Sequence, residues 1–339
     1  DARDPAFVLI PRAVGQAHRA IWARQMMMDG WSGLRPNDRL PHAGAFNWTY
    51  TLGPGLMDPW TLGATALIPA AGTDPAQLSL LLKRNDATIF AAAPGVYRKL
   101  LQAPLPPMPK LRHGLSAGEK LSAATRDAWH EATGTRIYEA FGMSECSTFI
   151  SSAPAHPCDA DRLGRPQVGR RVAILGEDGA PEPLDVPGTI AVHRDDPGLM
   201  LGYVGAPEDT AQRFHGDWFL TGDQGSMDED GQIRYLGRGD DMMNAGGYRV
   251  SPLEVEAALA DLPGITEIGV TDVTVKEGVS VIAAFYVADT ELDEDMLAAR
   301  AAERLARYKQ PRAFVRVDAL PRNANGKLIR KALKDHALS

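Results

Sequence analysis

The sequence predicts an α/β protein: a large domain of parallel α/β layers plus a β-barrel-like unit, then a small carboxy-terminal α+β domain. Three observations carry this. Short apolar runs alternate with helical patterns from residue 6 to 142, the texture turns to short β runs broken by Gly, Pro and Asp from 164 to 236, and helix and strand patterns mix after Asp241. At 339 residues the chain exceeds what one core usually holds, since cores stop growing near ~250–300 residues. Two domains are therefore expected, a large one over 1–239 and a mobile one over 240–339, with Asp240 at the boundary.

Ala6–Ile10 reads as a strand, Gln16–Gly33 as helical, Thr88–Ala92 as a strand and Pro94–Gln102 as a helix, which is the layering of a mainly parallel sheet. Leu111–Ser116 and Arg136–Phe141 supply two further strands. The helix between them, Ala123–Ala132, has Ser122 to accept from a free backbone N–H at its start and Gly134 to end it. Arg171–Leu175, Gly188–His193 and Gln232–Leu236 are short strands of an antiparallel or barrel-like unit. Asp228–Gly231 is an acidic hairpin turn, too short for a calcium loop. Beyond Asp241 a helix over Pro252–Leu262 opens with Ser251 as cap and Pro252 in the first turn. Strands near Ile265–Val275 and Val281–Val287, a helix over Asp293–Tyr308 and a strand at Ala313–Val317 follow. Arg330 and Lys331 read as the charged face of the last helix.

Lys and Arg number 36 against 43 Asp and Glu, a net charge of -7, which does not suit a protein that coats itself in phosphate backbone. Nucleic acid is excluded as a partner. The two cysteines, Cys146 and Cys158, have no metal-type spacing and are too few to staple the chain, which points to a reducing cytoplasm. No apolar run reaches the ~18–20 residues that span a bilayer, and Asp1–Pro5 is not a signal peptide. A cytoplasmic protein with small-molecule partners, compatible with a homodimer, is expected.

The chemistry sits in a few segments. Tyr138-Glu139-Ala140-Phe141-Gly142-Met143-Ser144-Glu145 runs from a strand into a loop. Thr221-Gly222-Asp223 is followed by Gly237-Arg238-Gly239-Asp240-Asp241, and Pro321-Arg322-Asn323-Ala324-Asn325-Gly326-Lys327 lies near the end. Read locally each has a plain meaning: Phe141 a core residue at a strand end, Ser116-Ala117-Gly118-Glu119 a turn before a helix, Gly222-Asp223 a turn, Asn244-Ala245-Gly246-Gly247-Tyr248-Arg249 a glycine-rich hairpin, Lys327 a solvated lysine. In this order, over nearly the whole chain, they resemble the AMP-forming acyl-CoA synthetases of the adenylate-forming ligase superfamily, of the medium-chain acyl- or benzoate-CoA ligase type.

The resemblance implies a role for each. Glu145 holds Mg²⁺ on the ATP phosphates, and Ser144, where the family has Thr, keeps the hydroxyl that contacts phosphate. One carboxylate suffices, because Mg²⁺ takes one or two carboxylates along with phosphate oxygens and water. Phe141 stacks on adenine, Glu139 meets its amino edge, and Gly118 and Glu119 lie along the base. Asp223 takes the ribose hydroxyls with two acceptor oxygens, and Arg238 reaches ribose or phosphate. Asp240 is the hinge. Gly246 and Gly247 admit coenzyme A, with Arg249 as a phosphate or CoA contact, and Lys327 neutralises charge when a carboxylate approaches the α-phosphate. The acid pocket is lined from Ala117, Gly142 and Trp48-Thr49-Tyr50. Two of these are small, which suits a medium-chain, branched or aromatic acid. Phe46, Trp48 and Tyr50 serve equally well as core packing. His42 and His113 are read as structural or pocket-wall histidines.

One family element has no counterpart. Ala6–Ile10 resembles the strand entering a Gly/Ser/Thr-rich phosphate loop and Pro11-Arg12-Ala13-Val14 its exit, with no loop between Ile10 and Pro11. Either a loop is omitted at this junction or it is truly deleted. The reaction implied is ATP-dependent ligation of a carboxylate to coenzyme A through an acyl-adenylate, with ATP, Mg²⁺ and CoA as cofactors. The alternatives are an adenylation enzyme that loads a separate carrier protein and a catalytically inactive nucleotide-binding homologue.

Overall fold

The computed structural model describes residues 2–9, 13–44, 46, 49–70, 72–159, 161–245, 248–276, 279–323 and 327–336. Trp48, Gly246, Gly247 and the Ile10–Pro11 junction lie outside these residues. The chain forms two compact units, one of residues 1–221 and 226–234, the other of 222–225 and 235–339.

In the first unit Ile89-Phe90-Ala91-Ala92 is apolar without alternation and wholly buried, as a strand covered on both faces must be. It pairs in parallel with His113–Ala117, and that strand in parallel with Arg136–Met143. Ser147–Ser151 and Arg165–Pro166 then continue the five-stranded sheet antiparallel. The helices Pro94–Leu100 and Ala123–Thr133 are the crossovers that parallel strands require. The second begins as its sequence predicts: Ser122 Oγ accepts from Thr125 N at 3.2 Å, and Gly134 ends it at φ 70°. Phe90, Tyr97 and Trp129 pack together, and the Tyr97 hydroxyl reaches the Phe90 and Leu115 carbonyls. A separate cluster gathers Trp31, Leu40, Tyr50, Leu115 and Ala117.

The predicted helix over Gln16–Gly33 is a strand at its start. Val14–Ala17 is buried throughout and pairs antiparallel with Pro5–Leu9 and with Gly202–Tyr203. Those partners outweigh the local helical pattern at the start, and the rest of the segment is helical over His18–Ala23 and, as a π-helix, over Met28–Ser32. A further sheet holds Val172–Leu175, Gly188–His193, Trp218–Met227 and Phe214–His215, with Ile233–Arg238 paired to Trp218–Met227. The expected Asp228–Gly231 turn is present, closed by Gly231 N donating to Asp228 O.

The second unit has a three-stranded sheet in which Val279–Val287 lies between Glu267–Lys276, antiparallel, and Ala313–Arg316, parallel. The helix Pro252–Leu259 carries the predicted Ser251 cap, and Glu294–Arg304 packs on the same core through Leu297 and Ala301. The latter stops at Arg304, short of the expected Tyr308. Met243–Ala245 and Tyr248–Val250 form the expected hairpin.

Candidate active site

Parallel strands direct their carboxyl ends to one edge, where open α/β sheets bind ligands. There the Arg136–Met143 strand turns tightly into Ser147–Ser151, with Met143 opposite Ser147 and Glu145 in the turn. Glu145 is 3% exposed, and its Oε1 accepts from the Tyr203 hydroxyl at 2.8 Å. Ser144 O accepts from Gln16 Nε2 at 2.7 Å, and Met200 N donates to Glu145 O at 2.7 Å. Tyr203 carried no local signal in the sequence, because it reaches Glu145 only through the pairing of Gly202–Tyr203 with Val14–Ala17. A carboxylate and a hydroxyl at this turn are the hard oxygen donors Mg²⁺ accepts, the remaining ligands coming from phosphate and water. Among the described residues no cluster of three or more His, Cys, Asp or Glu forms a metal site without substrate.

Gly142 has a packing reason. A Cβ there would collide with the Ser147 carbonyl of the adjacent strand, so the expected pocket-wall glycine is also what lets that strand close in. Phe141 meets Phe149 edge-on at 5.4 Å. Gly118 lies at φ 99°, and Glu119 pairs with Arg98 at 3.1 Å. Glu139 is buried, and burial raises its pKa against the pull of Arg126. Its carboxylate takes Arg126 Nη2 at 2.6 Å and Leu121 N at 2.8 Å, so it fixes the turn into the Ala123–Thr133 helix. Beside it opens a cavity of about 300 Å³ lined by Arg126, His130, Tyr138 and Cys158.

Of the acid-pocket residues, Ala117 is buried with Tyr50 in one cluster. Tyr50 is a core tyrosine: its ring packs beside Trp31 and His42, and its hydroxyl reaches Leu115 O at 2.9 Å and Ala92 O at 3.1 Å. These contacts favour the core-packing alternative for Tyr50, since the sheet takes its hydroxyl. Thr49 Oγ1 and both ring nitrogens of His42 are buried without a hydrogen-bond partner. Burial lowers the His42 pKa to about 3 and is the main cause that brings His113 to about 4. His113 Nε2 contacts Ser32 O at 2.7 Å, which makes it structural.

In the second unit Asp223 is 5% exposed and held by two groups: Tyr235 donates its hydroxyl to Oδ1 at 2.8 Å, and Arg238 Nη1 meets Oδ2 at 3.3 Å. Burial raises the Asp223 pKa, opposed by Arg238, by the Tyr235 hydrogen bond and by the charge of Lys327. Lys327 thus acts on Asp223 across about a hundred residues of sequence. Gly222, at φ 80°, lies where a Cβ would stand 3.2–3.4 Å from the Arg238 guanidinium, which explains a glycine before the aspartate. Arg238 also pairs through Nε with the exposed Asp240 at 3.2 Å. Arg249 Nη2 donates to Gly239 O at 3.0 Å. Lys327 is exposed, and its backbone N–H donates to Asn323 Oδ1 at 3.0 Å. Arg330 is not a plain surface charge. It donates to both Glu256 carboxylate oxygens and to Val270 O, and lies 12% exposed.

A family model described as AMP-binding enzyme matches residues 11–204. The chain belongs to that family. A second model, AMP-binding enzyme C-terminal domain, matches residues 254–327. Both place the chain in the adenylate-forming acyl-CoA synthetase superfamily. It is 32% identical over 335 residues to a 3-hydroxybenzoate–CoA ligase of Aromatoleum sp. (strain CIB), covering 96% of this chain and 64% of the relative. It is 36% identical over 296 residues to the mitochondrial acyl-coenzyme A synthetase ACSM1 of Mus musculus, covering 83% of this chain and 51% of the relative. The chain therefore spans between about half and two thirds of the length of these curated relatives. The solved structure of the anthranilate CoA ligase AuaEII in complex with anthranoyl-AMP matches with a TM-score of 0.88 at 29% identity, over 99% of this chain and 68% of that one. The family carries the expected fold, an α/β body with a half-barrel sheet and a separate carboxy-terminal domain. Among the described residues no helix is long and apolar enough to cross a membrane.

Proposed function

We propose that this chain carries the nucleotide- and thiol-handling residues of an AMP-forming carboxylate–CoA ligase. The observation that carries this reading is Asp223, a buried acceptor pair set between Tyr235 and Arg238 and within the field of Lys327. Two fixed carboxylate oxygens match the vicinal hydroxyls of a ribose, and a lysine cation nearby matches the charge that develops at the α-phosphate. Glu145 and the Ser144 hydroxyl would hold Mg²⁺, which lowers the charge of the ATP phosphates. Phe141, Gly118, Glu119 and Glu139 frame the base.

In the first step a carboxylate oxygen of the acid bonds to the α-phosphorus and pyrophosphate leaves, giving an acyl-adenylate. In the second the CoA sulfur, losing its proton, bonds to the acyl carbon and AMP leaves. Asp240 serves as the hinge between a large domain over 1–239 and a mobile domain over 240–339, and Gly246, Gly247 and Arg249 meet the thiol substrate. A cavity of about 400 Å³ beside that hairpin supports the assignment: it is lined by Arg307, Arg312 and the Tyr248–Tyr308 pair, stacked at 4.5 Å. Aromatic faces and guanidinium groups suit a nucleotide-bearing thiol. Ala117 and Gly142 leave space for an aromatic, branched or medium-chain acid, and aromatic acids are favoured because two relatives are named for hydroxybenzoate and anthranilate. With only two cysteines in 339 residues, a reducing cytoplasm is the proposed compartment, and a homodimer is the proposed assembly.

The test is pyrophosphate release from ATP with benzoates, anthranilate and medium-chain acids, followed by thioester formation with CoA or with a carrier protein. Transfer to carrier alone would move the assignment to a carrier-loading enzyme. One observation favours a second reading, a nucleotide-binding protein without turnover. Pro5–Leu9 and Val14–Ala17 pair as a hairpin with Leu9 opposite Val14, which leaves only residues 10–13 where the family has its phosphate loop. AMP binding without pyrophosphate release for any acid would select that reading.

A further inference from the structure

The turn that carries Glu145 is held from behind by two buried arginines on separate parts of the chain. Arg170 donates through Nη2 to Cys146 O at 2.8 Å and through Nη1 to Thr148 O at 3.0 Å. Its Nε meets Asp196 at 2.9–3.0 Å, and the two side chains are 1% and 0% exposed. Asp196 is itself fixed by Arg171 N at 3.0 Å and Gly198 N at 2.9 Å. The same loop supplies Met200 N to Glu145 O and Tyr203 to the Glu145 carboxylate. From the other side Arg24, paired with Asp58 at 2.7 and 2.8 Å, donates to Ser147 Oγ. Ser147 sits at φ 59°, a left-handed conformation that a residue with a Cβ adopts only when its surroundings impose it.

A buried ion pair is seldom the most stabilising filling for a core. Here two such pairs converge on one short turn, and both guanidinium groups turn their spare donors toward it. A planar fork spans the carbonyls of residues two apart while keeping a carboxylate at Nε, which a lysine ammonium cannot do. We infer that Arg170, with Asp196 behind it, is a positioning residue that pre-sets the Glu145 turn for a divalent cation. The inference rests on the proposed role of Glu145. Arg170 touches no substrate. It acts by removing the turn's freedom to move, so cation binding does not have to order it.

The experiment compares wild type, Arg170→Lys and Asp196→Asn, with Arg112→Lys as control; Arg112 pairs with Asp38 at 2.6 Å elsewhere in the unit. Mn²⁺ binding in the presence of ATP is followed by electron paramagnetic resonance, AMP binding by calorimetry, and amide exchange over residues 144–148 by mass spectrometry. Arg170→Lys and Asp196→Asn should weaken Mn²⁺ binding by about tenfold, the usual scale for groups that orient a metal ligand. AMP affinity should stay within about twofold, exchange at 144–148 should quicken, and Arg112→Lys should match wild type. Wild-type Mn²⁺ affinity in Arg170→Lys or Asp196→Asn, or an equal loss in Arg112→Lys, overturns the inference and leaves the proposed function standing. A wild-type protein that binds neither AMP nor Mn²⁺ with ATP overturns both. Should Arg170→Lys not fold, Asp196→Asn carries the test, because it keeps the shape of the pair and removes its charge.

Discussion

The Tyr203 hydroxyl donates to Glu145 Oε1 at 2.8 Å, joining the two-residue strand Gly202–Tyr203 to the turn after Arg136–Met143. Replacing Tyr203 with Phe removes a donor from a carboxylate that is 3% exposed. The expected cost is about 1–3 kcal/mol, the usual loss when a buried acceptor gives up a partner. Urea denaturation of Tyr203→Phe against wild type measures it, and unchanged stability would show that the contact contributes nothing.

In the proposed role of Lys327 its charge is needed only when a carboxylate meets the α-phosphate, so Lys327→Ala should cripple adenylation while sparing thioester formation from supplied acyl-adenylate. The readouts are pyrophosphate release and, separately, CoA thioester from synthetic adenylate. Equal losses in both half-reactions would remove the assigned role.

Asp223→Asn should separate stability from binding. Burial raises the Asp223 pKa in the folded state above its ordinary value of 3.8, so the folded protein holds that proton more tightly than the unfolded chain. Ionisation therefore works against folding: the penalty is absent below pH 3.8, grows as pH rises to the folded pKa and is complete above it. The variant is expected to be more stable than wild type at pH 7, by a margin that narrows toward pH 4, and to lose AMP affinity at least tenfold, about what a charged hydrogen bond contributes. Denaturant titrations at the two pH values, with AMP calorimetry, check both halves.

Two buried histidines predict acid sensitivity. Their folded pKa values, about 3 for His42 and about 4 for His113, lie below the ordinary 6.5, so the unfolded chain takes up protons first as pH falls. Stability should decline from pH 6.5 down toward 4 and level off below the folded values. His113→Gln should flatten the upper part of that slope. An unchanged slope would mean that His113 is not held neutral in the fold.

Much of the proposed site can be read from the sequence because its chemistry is written in short runs, Ser144-Glu145, Gly222-Asp223 and Gly326-Lys327, each with a glycine close by. Their partners cannot. Tyr203, Arg170 and Tyr235 reach Glu145, its turn and Asp223 from 58, 24 and 12 residues away, and no local pattern marks a residue whose importance is set by strand pairing. Arg330 misled for the same reason. Its charge reads as a solvated helix face until the fold brings Glu256 beside it from 74 residues upstream.

The sequence by itself determined the α/β class, the capped helix over Ala123–Thr133 and the order of the motifs, since these follow from periodicity and capping. Only the tertiary structure decided that Val14–Ala17 is a strand, that Tyr50 directs its hydroxyl into the sheet, that Gly142 admits a neighbouring strand, and that two buried arginines fix the Glu145 turn. The physical reason is common to all four. A hydrogen bond or a close contact between distant segments is worth more than the local preference it overrides, and only the folded chain brings those segments together.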